Sequence, residues 1–169
     1  MHQSPQDAAR TSPGADPAAQ DGAGADDRRR IMATLATADA TRLGELAATL
    51  PMPTGHDLIR PAETGLIMAR GRMGGTGSPF NLGEVTVTRC VVRVKSGEVG
   101  TAYVLGRDKT HARTAALIDA LWQNPVHRPV VEACVITPLA EARDQARNTL
   151  RQETAATRVD FFTMVRGDN

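Results

Sequence analysis

One tryptophan, one tyrosine and three phenylalanines are all the aromatic residues this 169-residue chain has for a core. Two of them stand side by side in Arg158-Val159-Asp160-Phe161-Phe162-Thr163-Met164-Val165-Arg166. A short apolar run bounded by charge reads as a buried strand, here Val159–Val165. A terminal segment is ordered only when something ties it down. The segment therefore either finishes this chain's own sheet or enters a partner, and Arg158, Phe161, Phe162 and Arg166 are the candidate assembly residues.

The remaining core must be aliphatic, because 41% of the chain is hydrophobic but only 3% aromatic. Aromatic side chains supply the largest burial per residue, so such a core is thin, and burial against other subunits would supplement it. A net charge of +1 gives no electrostatic footprint for nucleic acid. Arginine greatly outnumbers lysine, which occurs only at Lys95 and Lys109. Either arginine-dependent contacts to carboxylates and phosphates or a biased genomic composition explains that. Cys90 and Cys134 are too few for a disulfide framework or a metal cage. No run approaches a membrane span, and no basic segment followed by an apolar one marks a secretory signal. The expected location is the cytoplasm.

Residues 1–26 are dominated by Ala, Gly, Pro, Asp and Gln without periodicity and read as a disordered leader, which leaves 27–169 as a single domain. Ile31, Leu35, Leu43, Leu46 and Leu50 then fall at helical spacing. They predict two short helices, the second capped by Asp39 or Thr41. Three strands follow, over Gly65–Met73, Glu84–Lys95 and Val99–Leu105, the last two joined by a turn at Ser96-Gly97. In the second strand Val85 and Val87 share one parity and Cys90, Val92 and Val94 the other. That calls for a bulge near Thr88–Arg89 or for burial of both faces. Asp108 caps a helix from Lys109 to about Gln123, with Ala115, Ile118, Leu121 and Trp122 inward. Val130–Ile136 fits a strand or a short helix. Thr137 with Pro138 opens a last helix to about Thr157. The fold class is α+β: N-terminal helices, a small, mostly antiparallel sheet, two further helices and a C-terminal strand.

Two segments could bind an anion. Arg72, Gly74, Gly75 and Gly77 lie in a glycine-rich stretch whose N–H groups could form a nest, although it lacks the Gly-Lys-Ser/Thr of a P-loop. Arg107, Lys109 and His111 gather where a strand feeds a helix N-terminus. A positive-φ turn and a solvated helix start explain the same residues structurally. Arg70, Arg72, Arg89 and Arg93 would make one sheet face basic if register aligned them, and otherwise are solvated surface. His56 and His127 have no partner at a ligand spacing, so no metal site is expected. Glu63 and Glu84 have no identifiable partner, and no catalytic constellation is legible.

Ala62-Glu63-Thr64-Gly65-Leu66, Arg72-Met73-Gly74-Gly75-Thr76-Gly77, Gly106-Arg107-Asp108-Lys109-Thr110-His111-Ala112, Ala116-Leu117-Ile118-Asp119-Ala120-Leu121 and the terminal segment occur in this order along the chain. Together they resemble the PhnG family, the G subunit of the carbon–phosphorus lyase core complex. The resemblance implies a subunit of a multimeric enzyme that assembles with the H, I and J subunits and acts with the ATPase-like L subunit. The implied step transfers a phosphonate to ribose C1 of ATP with release of adenine, giving a ribose 1-phosphonate 5-triphosphate. ATP is then a substrate of the complex, and this subunit alone holds no cofactor. The alternative is a self-contained anion- or nucleotide-binding enzyme that uses Gly74–Gly77 and Arg107–His111.

Overall fold

The computed structural model describes residues 17–73 and 77–156. The elements in chain order are α1 (Pro17–Thr37), α2 (Ala40–Ala47), β1 (His56–Arg72), β2 (Pro79–Val94), β3 (Val99–Leu105), α3 (Lys109–Gln123), α4 (Arg128–Val131), a π turn (Glu132–Ile136) and α5 (Thr137–Ala156). Within the described residues the architecture is α+β, with the antiparallel sheet ordered β1-β2-β3. The expected strand Val159–Val165 lies outside the described residues, as do Gly74 and Gly75.

The two N-terminal helices follow the leucine spacing. Ile31, Leu35, Leu43, Leu46 and Leu50 are all buried, and Asp39 caps α2 by accepting the Arg42 N–H at 2.9 Å. The first helix begins at Pro17, ten residues before the sequence pattern changes at Asp27. The alanines of that stretch favour helix, and the amphipathic section downstream supplies the packing that sustains it.

Both long strands extend well beyond the sequence expectation. β1 starts at His56 and carries Pro61 within it. A proline without an N–H is accommodated because β1 is a sheet edge and its register slips there, between Arg60 and Glu63. A second slip follows Leu58, and a third lies between Ala69 and Arg70. The Thr88–Arg89 bulge is absent, since pairing runs without a shift from Val87 to Arg93 against β3. Instead both parities are buried at that point: Val87 is closed off on one face, and Thr88, Cys90, Val92 and Val94 on the other. Thr88 tolerates burial because its hydroxyl donates to the Gly106 carbonyl at 2.8 Å and lies 3.1 Å from the Thr64 hydroxyl. The β2–β3 turn closes as expected, with Gly97 at φ 106°.

The inner face of the sheet packs on α3 through small residues. Ala112, Ala115, Ala116 and Ala120 are buried, and Gly100 of β3 presses against them so closely that a Cβ there would sit inside the Ala116 carbonyl oxygen and 2.7 Å from the Ala120 nitrogen. Alanines on the helix and glycine on the strand bring the two backbones together, which compensates for the lack of large side chains.

Val130–Ile136 is helical, not a strand, and the helix does not restart at Thr137. Thr137 has helical dihedrals, and its N–H reaches back five residues to the Glu132 carbonyl. Pro138 has no N–H, and its ring would collide with the carbonyl four residues earlier. Widening the preceding turn to π geometry lets the helix pass through without ending.

Replacing Gly100 by alanine should destabilise the fold by about 1–3 kcal/mol or more through overpacking against backbone. Gly65, with open space where a Cβ would go, should accept alanine with little change. Urea denaturation of the two variants checks this, and equal midpoints would contradict the close approach.

Candidate functional site

Asp119, to which the sequence reading assigned no role, is the most connected polar side chain of the described core. It sits on the apolar stripe of α3 between Ile118 and Ala120 and is completely buried. Arg28 of α1 donates to it from Nε at 3.0 Å and from Nη2 at 2.7 Å. The Thr101 backbone N–H of β3 donates to it at 2.8 Å. This two-pronged geometry suits a planar guanidinium against a carboxylate. The carboxylate's hydrogen bond is the main influence holding the Arg28 guanidinium above its ordinary pKa, against desolvation. Arg28 also donates to the Val99 carbonyl at 3.2 Å, which Gln123 shares at 2.8 Å. One carboxylate thus ties α1, β3 and α3 together. The signal available in the sequence was an acid on an otherwise apolar helix face.

A second polar cluster surrounds Glu132, which accepts from Trp122 Nε1 at 2.7 Å and Arg30 Nη2 at 2.9 Å. Arg128 lies over the Trp122 ring at 4.3 Å. These contacts fasten the π turn to α1 and α3. Cys90 is buried, and desolvation pushes its thiol pKa up, so it packs as a small apolar side chain.

The anion candidates end up in two distant places. Arg107 and Lys109 are exposed at the start of α3, where Asp108 caps the helix by accepting the His111 N–H at 2.8 Å. His111 does not join them. It is 7% exposed, and its Nε2 is 2.8 Å from the Leu35 carbonyl. A carbonyl only accepts, so Nε2 carries the proton, and the imidazole is a strut between α1 and α3. Beside this point Lys109, Thr110, Arg113 and Thr114 share a shallow cleft with Leu58 and Ala62 of β1.

The glycine-rich stretch is at the far tip of the β1–β2 ribbon. Gly77 donates its N–H to the Met73 carbonyl, and Arg72 donates to the Gly77 carbonyl at 3.3 Å, so Arg72 serves the turn itself. Arg72 pairs with Pro79, while the Gly106 N–H donates to the Thr86 carbonyl, seven residues further along β2. At about 3.3 Å per residue the two segments are roughly 23 Å apart. They do not form one site.

Nor is there a continuous basic face. Glu63, unpaired in the sequence reading, accepts from Arg89 at 2.7 Å and Arg60 at 3.1 Å. The Arg89 hydrogen bond leads in holding the Glu63 carboxyl below its usual range. Among the described residues no group of His, Cys, Asp and Glu could hold a metal ion, and no helix is long and apolar enough to cross a membrane.

The distinctive surface is apolar. Beyond Thr64–Thr88 the β1–β2 ribbon projects with both faces open: Leu66, Ile67, Met68, Phe80 and Leu82 are all exposed. Cross-strand pairing sets Ile67 beside Val85, and Met68 beside Glu84. Leu82 lies over Gly71, where a Cβ would be 2.7 Å from its methyl group. An unshielded ribbon of this kind is marginal in water unless something receives it.

The family profile described as "Phosphonate metabolism protein PhnG" matches residues 26–167. The chain belongs to the PhnG family. A relative in Rhizobium meliloti (strain 1021), the "Alpha-D-ribose 1-methylphosphonate 5-triphosphate synthase subunit PhnG", is 47% identical over 166 residues, which cover 96% of this chain and 99% of the relative. The PhnG match runs from within α1 through α5 and includes the ribbon, the Asp119 cluster and the terminal Phe161-Phe162 segment. Arg158, Phe161, Phe162 and Arg166, the candidate assembly residues, lie outside the described residues.

Asp119→Ala should cost about 3–5 kcal/mol, because it leaves Arg28 and the Thr101 N–H without their partner. Asp119→Asn, which keeps an acceptor, should cost less. Chemical denaturation followed by circular dichroism measures both. A loss under about 1 kcal/mol for alanine would remove this cluster from its place at the centre of the fold.

Proposed function

We propose that this chain is a core subunit of the phosphonate carbon–phosphorus lyase system. In this reading it supports transfer of a phosphonate to ribose C1 of ATP with release of adenine, in the breakdown of organic phosphonates. The observation that carries the reading is the near full-length match to a named synthase subunit, at 47% identity. The chemistry of the described surface agrees with a subunit role: its polar clusters are consumed in structure, and its largest unsatisfied feature is apolar. The chain works with the H, I and J subunits and the ATPase-like L subunit, in the cytoplasm. ATP is a substrate of the assembly, and the catalytic groups come from other subunits.

The ribbon is the assembly element best supported by exposure. Leu66→Asp and Phe80→Asp should leave the denaturation midpoint of the chain almost unchanged, because both side chains are solvent-exposed, at 61% and 42%. The same variants should fail to co-purify with the other subunits, since a buried charge at an apolar contact is strongly disfavoured. Retained co-purification would show that the ribbon is not a docking element.

Adenine release from ATP and methylphosphonate, measured with the reconstituted subunits, tests the function directly. Omitting this chain should reduce release to background, and adding it back should restore it. Undiminished release would overturn the proposal. The alternative, a self-contained anion-binding enzyme, draws on the Lys109–Arg113 cleft alone, now that the glycine-rich stretch lies elsewhere. Tight ATP binding by the isolated chain that is lost in Lys109→Ala would favour it.

A further inference from the structure

Two of the clefts that border α3 differ in chemistry. One lies between α1 and the open end of β3, the sheet edge opposite β1. Its walls include Met32, Ala36, Ala102 and Tyr103, and it is apolar. The other lies between the N-terminal half of α3 and β1. Lys109, Thr110, Arg113 and Thr114 line it from the helix, and Leu58 and Ala62 from the strand. It encloses about 430 Å³, within the range of clefts that hold small molecules.

Unlike the polar clusters consumed in structure, the helix side of this second cleft keeps free donors. Lys109 and Arg113 stand one turn apart on the same face of α3, as do Thr110 and Thr114. Thr34, Thr37 and Thr149 each donate their hydroxyl to a carbonyl four residues earlier. The side chains of Thr110, Thr114 and Lys109 have no such partner among the described residues. Arg113 Nη2 donates to His56 Nε2 at 3.1 Å. A guanidinium only donates, so the imidazole accepts and steadies Arg113 against β1 without neutralising it. The acids of this region are committed elsewhere: Asp108 caps α3 through the His111 N–H, and Glu63 accepts from Arg60 and Arg89. Asp57 lies between His56 and Leu58 in β1, and strand alternation turns it to the opposite face of the sheet. Like charges one turn apart on a helix repel, and here no acid relieves them. Because Asp108 already occupies the helix start, recognition at this cleft is by side chains. Two cations flanked by two free hydroxyls select a ligand that accepts several hydrogen bonds and carries negative charge.

We propose that the β1–α3 cleft binds a tetrahedral phosphoryl or phosphonyl group of the substrates. Lys109 and Arg113 meet its oxygens with charge-assisted hydrogen bonds, and the hydroxyls of Thr110 and Thr114 donate beside them. Leu58 and Ala62 lie against the carbon-bearing side of the ligand. This assignment rests on the proposed function, in which the assembly acts on ATP and a phosphonate. Both substrates carry the same chemistry, a phosphorus with several negatively charged oxygens. The chain is then a substrate-binding subunit as well as a structural one, and the reacting groups still come from its neighbours.

The test is adenine release by the complete assembly, with ATP and methylphosphonate varied in turn. Lys109→Gln and Arg113→Gln should each raise the KM for one of the two by about tenfold or more. The change in kcat should be far smaller, and the subunits should still co-purify, because both side chains are exposed. A higher KM for methylphosphonate places the phosphonate in the cleft; a higher KM for ATP places its phosphates there. Inorganic phosphate should compete with that same substrate in the unaltered assembly, and about tenfold more weakly in the variants. Lys109→Arg, which returns the charge, should recover most of the loss. Unchanged KM for both substrates, a fall in kcat alone, or loss of subunits from the variant assembly would each overturn the site. If the site fails in this way but release still disappears when the chain is omitted, the proposed function stands. Release that persists without the chain overturns that function instead.

Discussion

Everything in the body of this protein is arranged around the contact between α3 and the inner face of the sheet, and that contact depends on smallness. With so few aromatics, stability comes from bringing backbones close, not from filling space with large rings. Gly100 against Ala116 and Ala120 sets the spacing. At that separation Asp119 can reach the Thr101 N–H, and Arg28 can reach Asp119. The buried carboxylate is then satisfied on several sides, the condition under which a buried charge is tolerated. α1 is located by that pair and by the imidazole of His111 on the Leu35 carbonyl. The π turn is located in turn by Glu132 on Arg30 and Trp122.

The polar chemistry of the described core is therefore spent internally. His111, Asp119, Glu132 and Thr88 all hold elements together, and Glu63 is neutralised by two arginines. What remains on the described surface includes two apolar features, the two-faced ribbon of β1 and β2 and the open end of β3 with its cleft. A monomeric protein seldom leaves two such features uncovered. A subunit leaves them for its neighbours, which agrees with membership of the PhnG family.

The sequence by itself determined the local elements. The leucine spacing of α1 and α2, the caps at Asp39 and Asp108, the Ser96-Gly97 turn and the inward stripe of α3 are short-range consequences of side-chain type and were legible without coordinates. The resemblance of its blocks to PhnG identified the family. Only the tertiary structure decided the rest, because those outcomes depend on residues far apart in the chain. His111 read equally well as an anion contact or as part of a solvated helix start until Leu35 was placed against it. Asp119 needed Arg28, ninety-one positions away, to become a hub. The two glycine- and arginine-bearing segments were each a candidate for anion binding, and the length of β2 sets them roughly 23 Å apart. The continuous helix through Pro138 arose because neighbouring helices hold that segment in place, so that widening one turn is easier than ending the helix.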